Sequence, residues 1–88
     1  MIKVSSLKKA YNQILSNNDD SPSIRIISNY MSNIYNLNDE YKIEAESISD
    51  EIDKSIKKEA SIFDSDIGKL KFYITCEELK LEFFNLMK

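Results

Sequence analysis

Apolar residues recur at helical spacing through nearly the whole of this 88-residue chain, and that periodicity constrains its fold more than any other feature. Side chains three and four positions apart share one side of a helix, so each such run must bury a stripe against a neighbour. In the first run Leu7, Ala10, Tyr11 and Ile14 share a face, with Lys8, Asn12 and Ser16 opposite. A hydroxyl at Ser5 or Ser6 would cap its start by accepting a free backbone N–H of the first turn. Asn17 and Asn18, in "SNNDD", tolerate the left-handed geometry that closes a helix.

The next start is the clearest in the chain. Ser21 is placed to cap, and Pro22 falls at the first helical position, where its missing N–H costs nothing. Ile24, Ile27, Met31, Ile34 and Tyr35 line one face, which Ile26, Tyr30 and Leu37 widen. Arg25, Asn29, Ser32 and Asn36 line the other. In "NDEYKIEAESISDEIDKSIKKEASIF" a third stripe runs through Tyr41, Ala45, Ile48, Ile52, Ile56 and Phe63. Asn38 reads as its cap, and Asp39 and Glu40 as acids that complement the positive end of the helix dipole. Asp50 with Lys54, and Asp53 with Lys57, are acid-before-base pairs four residues apart.

"DSDIG" interrupts the pattern, and "KLKFYIT" changes its period. Leu70, Phe72 and Ile74 alternate with Lys71, Tyr73 and Thr75, the spacing of a strand, which predicts a short extended segment at 69–75. Only "MIKV" offers it a pairing partner, and isolated pairs are weak, so an extended connector or extra turn is favoured over a hairpin. Thr75 and Glu78 then form a capping box that opens the last helix. The expected fold is all-α: one domain over residues 1–88, a small antiparallel bundle of about four helices joined by short loops.

Composition narrows the function classes. A chain of this size buries roughly 60–65% of the surface its unfolded form exposes, enough for one thin core. With 42% hydrophobic and 31% charged residues it suits a folded globule. The net charge of −3 and the lone Arg25 argue against direct nucleic-acid binding. No stretch approaches the ~18 apolar residues of a membrane span, and "MIKVSSLKKAYNQIL" lacks a signal-peptide core, so a cytoplasmic location without membrane insertion is expected. One Gly, one Pro and three Ala beside many Ile, Lys and Asn suggest an AT-rich genome.

Catalytic and metal chemistry find no foothold in the residue types. Cys76 has no His to act as its base, because the chain contains none. A helix N-terminus there would lower its pKa, but a buried structural thiol is the better reading. "DSDIG" resembles the opening of a calcium loop, yet Gly68 comes one position early and the twelfth residue is Thr75, not Glu. It reads as a turn, and one Cys without His makes no zinc site. The acidic groups Asp19–Asp20, Glu44–Glu46 and Asp50–Glu51–Asp53 fall in a loop or on polar faces, as solvated surface does. Tyr11, Tyr35 and Tyr41 fall on apolar faces and are expected in the core, without the basic groove that base stacking requires. No enzyme, cofactor, metal or catalytic residue is therefore expected.

The last helix holds more large apolar side chains than one face can carry. Cys76, Leu79, Phe83, Leu86 and Met87 form a face for the core, and Leu81 and Phe84 project outside it. Leu81 and Phe84 are thus the candidate partner-binding residues, with a protein partner or a second copy of the chain as occupant.

In layout the chain resembles the enterocin A-type bacteriocin immunity proteins. The resemblance lies in "KLKFYITCEELKLEFFNLM" after the third helix and in the polar loop "NNDDSPS" before the second. It implies an antiparallel four-helix bundle that protects the producing cell through its C-terminal part, without catalysis. The competing identity is a small inhibitor encoded by a phage or mobile element, occupying a host protein such as a defence nuclease. A self-associating structural subunit would use the same apolar surplus.

Overall fold

The computed structural model describes residues 1–17 and 21–88. Four helices make up most of it: α1 (Val4–Asn17), α2 (Pro22–Ile34), α3 (Ala45–Ala60) and α4 (Asp66–Leu86). A two-residue strand β1 (Ile2–Lys3) pairs antiparallel with β2 (Lys42–Ile43), setting Ile2 opposite Ile43 and Lys3 opposite Lys42. The fold is a small all-helical bundle with this short ribbon at its edge.

α2 begins as its sequence requires. Ser21 is extended, and its hydroxyl accepts from the Ile24 N–H at 3.3 Å, with Pro22 opening the helix. The start of α1 is solved differently. Its first free N–H groups are taken by a distant loop: Val4 donates to the Tyr41 carbonyl at 2.8 Å and Ser5 to the Asp39 carbonyl at 3.0 Å. Neither Ser5 nor Ser6 serves as the cap, because the backbone of 39–41 already meets the need that a cap exists to meet.

That same loop moves the start of α3. Asn38, Asp39 and Glu40 form a turn, in which the Asn38 side-chain oxygen accepts from the Glu40 N–H at 2.8 Å and the Asn38 carbonyl from the Tyr41 N–H at 3.0 Å. Asp39 pairs with Lys8 at 2.6 Å and Glu40 with Lys3 at 3.0 Å, so both acids serve α1 and β1 rather than the dipole of α3. Tyr41 and Ala45 are exposed, and the buried stripe of α3 is Ile48, Ile52, Ile56 and Ala60. The expected pairs within α3 are also replaced. Lys54 meets Glu51 at 3.5 Å, and Asp53 reaches across to Lys80 of α4 at 2.8 Å.

Residues 69–75 are helical, not extended, and lie inside α4. The cap of that helix is Ser65, whose hydroxyl accepts from the Gly68 N–H at 3.0 Å. A Cβ at position 68 would lie 2.9 Å from that hydroxyl, so the chain's single glycine suits the close approach. Thr75 sits in mid-helix and donates to the Lys71 carbonyl one turn back, so no capping box forms there.

Contacts step outward from the α3–α4 turn in register. The Phe63 and Phe72 rings meet near it, with centroids 5.0 Å apart, and Asp53 meets Lys80 farther along. The two helices therefore form an antiparallel hairpin. α2 and α4 each pack on all three other helices, and α1 and α3 flank them. The core between them holds Leu7, Ile14, Ile26, Ile27, Met31, Ile52 and Phe83, each almost wholly excluded from water. Tyr30 is the buried tyrosine. Tyr11 is half-buried, its hydroxyl donating to Ser28 at 2.7 Å. Tyr35 and Tyr41 are exposed, and Tyr35 lies under the Lys8 ammonium, 5.0 Å from its ring centroid.

Candidate functional site

α4 carries apolar residues on two opposite sides. Phe72, Cys76, Leu79 and Phe83 face the core. Ile67, Leu70, Ile74 and Leu81 face outward, and they are 68%, 60%, 50% and 64% exposed. At 100° per residue these four fall within about 60° of one another, and their mean direction lies about 180° from that of the core face. The intervals of three, four and seven residues are those of a heptad seam, whose remaining position, seven residues after Leu70, is held by Glu77. With a rise of 1.5 Å per residue, the row from Ile67 to Leu81 is about 21 Å long.

Of the two residues singled out by sequence, Leu81 belongs to this row. Phe84 does not. It is half-buried at the edge of the core, and its ring stands edge-on to Phe83 with centroids 6.2 Å apart. The sequence reading missed Ile67, Leu70 and Ile74, which the predicted extended segment and its preceding turn had absorbed. The signal that could have found them is the heptad spacing 67, 70, 74 and 81.

Charges border the row. Lys71 and Glu78 lie on one flank, seven residues apart, and Glu77 lies on the other. All three are exposed. None of them is in an ion pair among the described residues.

The remaining candidate chemistry is dispersed. Asp64 and Asp66 of "DSDIG" are exposed, and no group of three metal-ligating side chains occurs among the described residues. Glu44, Glu46, Asp50 and Glu51 are exposed on the surface, and Asp19 and Asp20 lie outside the described residues, as does Asn18. A shallow groove beside the start of α2 is lined mainly by Pro22, Phe63, Gly68 and Phe72. No helix is long and apolar enough to cross a membrane among the described residues.

Cys76 is buried in the middle of α4, about three turns beyond the N-terminus of that helix. Burial, with the Glu77 carboxylate adding to it, pushes its thiol up to about 11 from an ordinary 9.0. Tyr30 is raised from 10.0 by burial and, secondarily, by Glu51. Between these values the folded thiol keeps a proton that the unfolded thiol gives up, so alkali favours unfolding. Stability is expected to be full below about pH 9 and to fall as pH rises through about 11. Urea unfolding at pH 8 and pH 10.5 would show the loss, and Cys76→Ala should reduce the slope. An unchanged slope in that variant would remove the thiol from the account.

The chain matches no family model, no curated protein and no solved structure.

Proposed function

We propose that this chain is a non-enzymatic helical interaction protein that binds a protein partner in the cytoplasm and neutralises it or protects against it. The observation that carries this reading is the outward row of α4, Ile67, Leu70, Ile74 and Leu81, turned away from the core that Phe72, Leu79 and Phe83 fill. An isolated exposed leucine is ordinary on a protein surface, whereas an aligned row of four is the form in which one helix receives another. The exposed charges Lys71, Glu77 and Glu78 give that row the polar border usual at protein interfaces. The four-helix layout and the small size agree with the resemblance to enterocin A-type immunity proteins, which assigns protection to the C-terminal part.

The double change Ile74→Glu with Leu81→Glu tests the reading, because both side chains lie on the surface and their replacement should leave the fold intact. Tagged wild-type and variant chains would be exposed to extract of the native host. Any protein retained by the wild type alone would be purified and its own activity measured with added chain. The expected result is suppression by the wild type and affinity about tenfold weaker or worse for the variant. Equal retention by both chains, or a retained protein whose activity is indifferent to the chain, would refute the proposal.

A further inference from the structure

We infer that the outward row of α4 is complementary to itself, so that two copies of this chain pair through antiparallel α4 helices about a two-fold axis at Ile74. This goes beyond the foreign partner proposed above and holds whether or not that partner exists.

The apolar row is centred on Ile74, with Ile67 seven residues before it and Leu81 seven after. An antiparallel copy turned about that centre sets Ile74 against Ile74 and each Ile67 against the other chain's Leu81. The large side chains at the two ends are thus covered reciprocally, as a two-fold interface demands. A shift by one heptad would leave one end of each row uncovered.

Charge selects the direction. Lys71 lies about 4.5 Å before the centre along the helix and Glu78 about 6 Å after it, on the same flank. A two-fold antiparallel arrangement brings like flanks together, so Lys71 of each chain meets Glu78 of the other, twice per dimer. A parallel arrangement brings opposite flanks together and sets Glu78 of each chain beside Glu77 of the other, also twice. The first pairs opposite charges and the second opposes like ones. Because Lys71 and Glu78 are exposed and in no ion pair within the described chain, both are available to a second copy.

Four aliphatic residues make less than the ~800 Å² per partner of a standard interface, so the dimer should assemble in the micromolar range or more weakly. Sedimentation of the full chain from about 1 μM to 1 mM is expected to show a monomer–dimer equilibrium that weakens with salt. Lys71→Glu alone and Glu78→Lys alone should each weaken it, by about tenfold, and the two combined should restore it. Oxidative cross-linking gives an independent reading of direction. Ile74→Cys should yield a covalent dimer, because that position meets itself. Leu81→Cys should not, because its two copies would be about 21 Å apart along the helices. A folded chain that stays monomeric throughout the range would overturn the inference and leave the foreign-partner proposal standing. So would cross-linking at 81 as efficient as at 74, or a double charge exchange that fails to restore association.

Discussion

Phe83→Ala is expected to lower folding stability by about 3–5 kcal/mol, the largest loss from any single truncation of α4. Phe83 has no exposed surface and lies in the core against which α1, α2 and α3 close. Its removal forfeits the transfer energy of a ring and leaves a void that helices held on several sides refill poorly. A domain of this length has about 5–10 kcal/mol in total, so the variant would spend a measurable fraction of its time unfolded at 37 °C. Neighbouring substitutions supply the contrast. Leu81→Ala should stay within about 0.5 kcal/mol, since that side chain is already in water. Phe84→Ala should fall between the two, because its half-buried ring packs edge-on to Phe83. Urea melts of the three variants give the ranking directly. A Phe83→Ala chain as stable as Leu81→Ala would mean that the inward face of α4 is misidentified.

The parts of the fold that were legible in the sequence are those whose causes are local. Ser21 and Pro22 announce α2 because cap and proline act within one turn of the helix they start. The stripes Leu7–Ala10–Ile14 and Ile48–Ile52–Ile56 read correctly because each lies on one side of its helix and the other side is polar. The start of α3 was not legible. Asn38, Asp39 and Glu40 have the chemistry of a helix start, but Ser5 takes the Asp39 carbonyl, Val4 takes that of the adjoining Tyr41, and Lys8 and Lys3 take the two carboxylates, all from more than thirty residues away in sequence. Local pattern does not reveal a distant claimant on the same groups. The tyrosines show the same limit. Periodicity places Tyr35 and Tyr41 on helix stripes, but α2 ends at Ile34 and α3 begins only at Ala45, so both fall beyond the helix ends and outside the core.

The error at 69–75 has a different physical origin. A helix turns by about 200° over two residues, so apolar positions two apart fall on nearly opposite sides. Leu70 and Ile74 point outward and Phe72 inward, and a helix apolar on both sides mimics the alternation of a strand. The same coincidence hides the candidate site: the alternation places Leu70 and Ile74 in an extended segment, and Leu81 and Phe84 alone then stand out as the apolar surplus of a shorter helix. Length distinguishes the two periods. From Ile67 to Leu81 the exposed residues keep heptad spacing for two full repeats, which a strand cannot reproduce.

Ile74→Pro should therefore be nearly as damaging as a core truncation, although Ile74 is half exposed. In the middle of α4 a proline removes the hydrogen bond from residue 74 to the carbonyl of Leu70 and drives its ring against that carbonyl, at a cost of about 3 kcal/mol or more. In an extended connector over 69–75 the same proline would meet a compatible backbone angle and change little. Ile74→Ala is the control, since it removes the same side chain and keeps a strong helix former, and it should stay within about 1 kcal/mol of wild type. For a domain of this size the difference between the two variants corresponds to roughly 10–20 °C in Tm. The effect should extend to binding. A kink at 74 would turn Ile67 and Leu70 out of line with Leu81, so any ligand of the row should be lost even where the rest of the bundle persists. Thermal melts of the two variants read side by side decide the matter: melting temperatures within a few degrees of each other would mean that α4 is not a continuous helix through 74, and the outward row would dissolve with it.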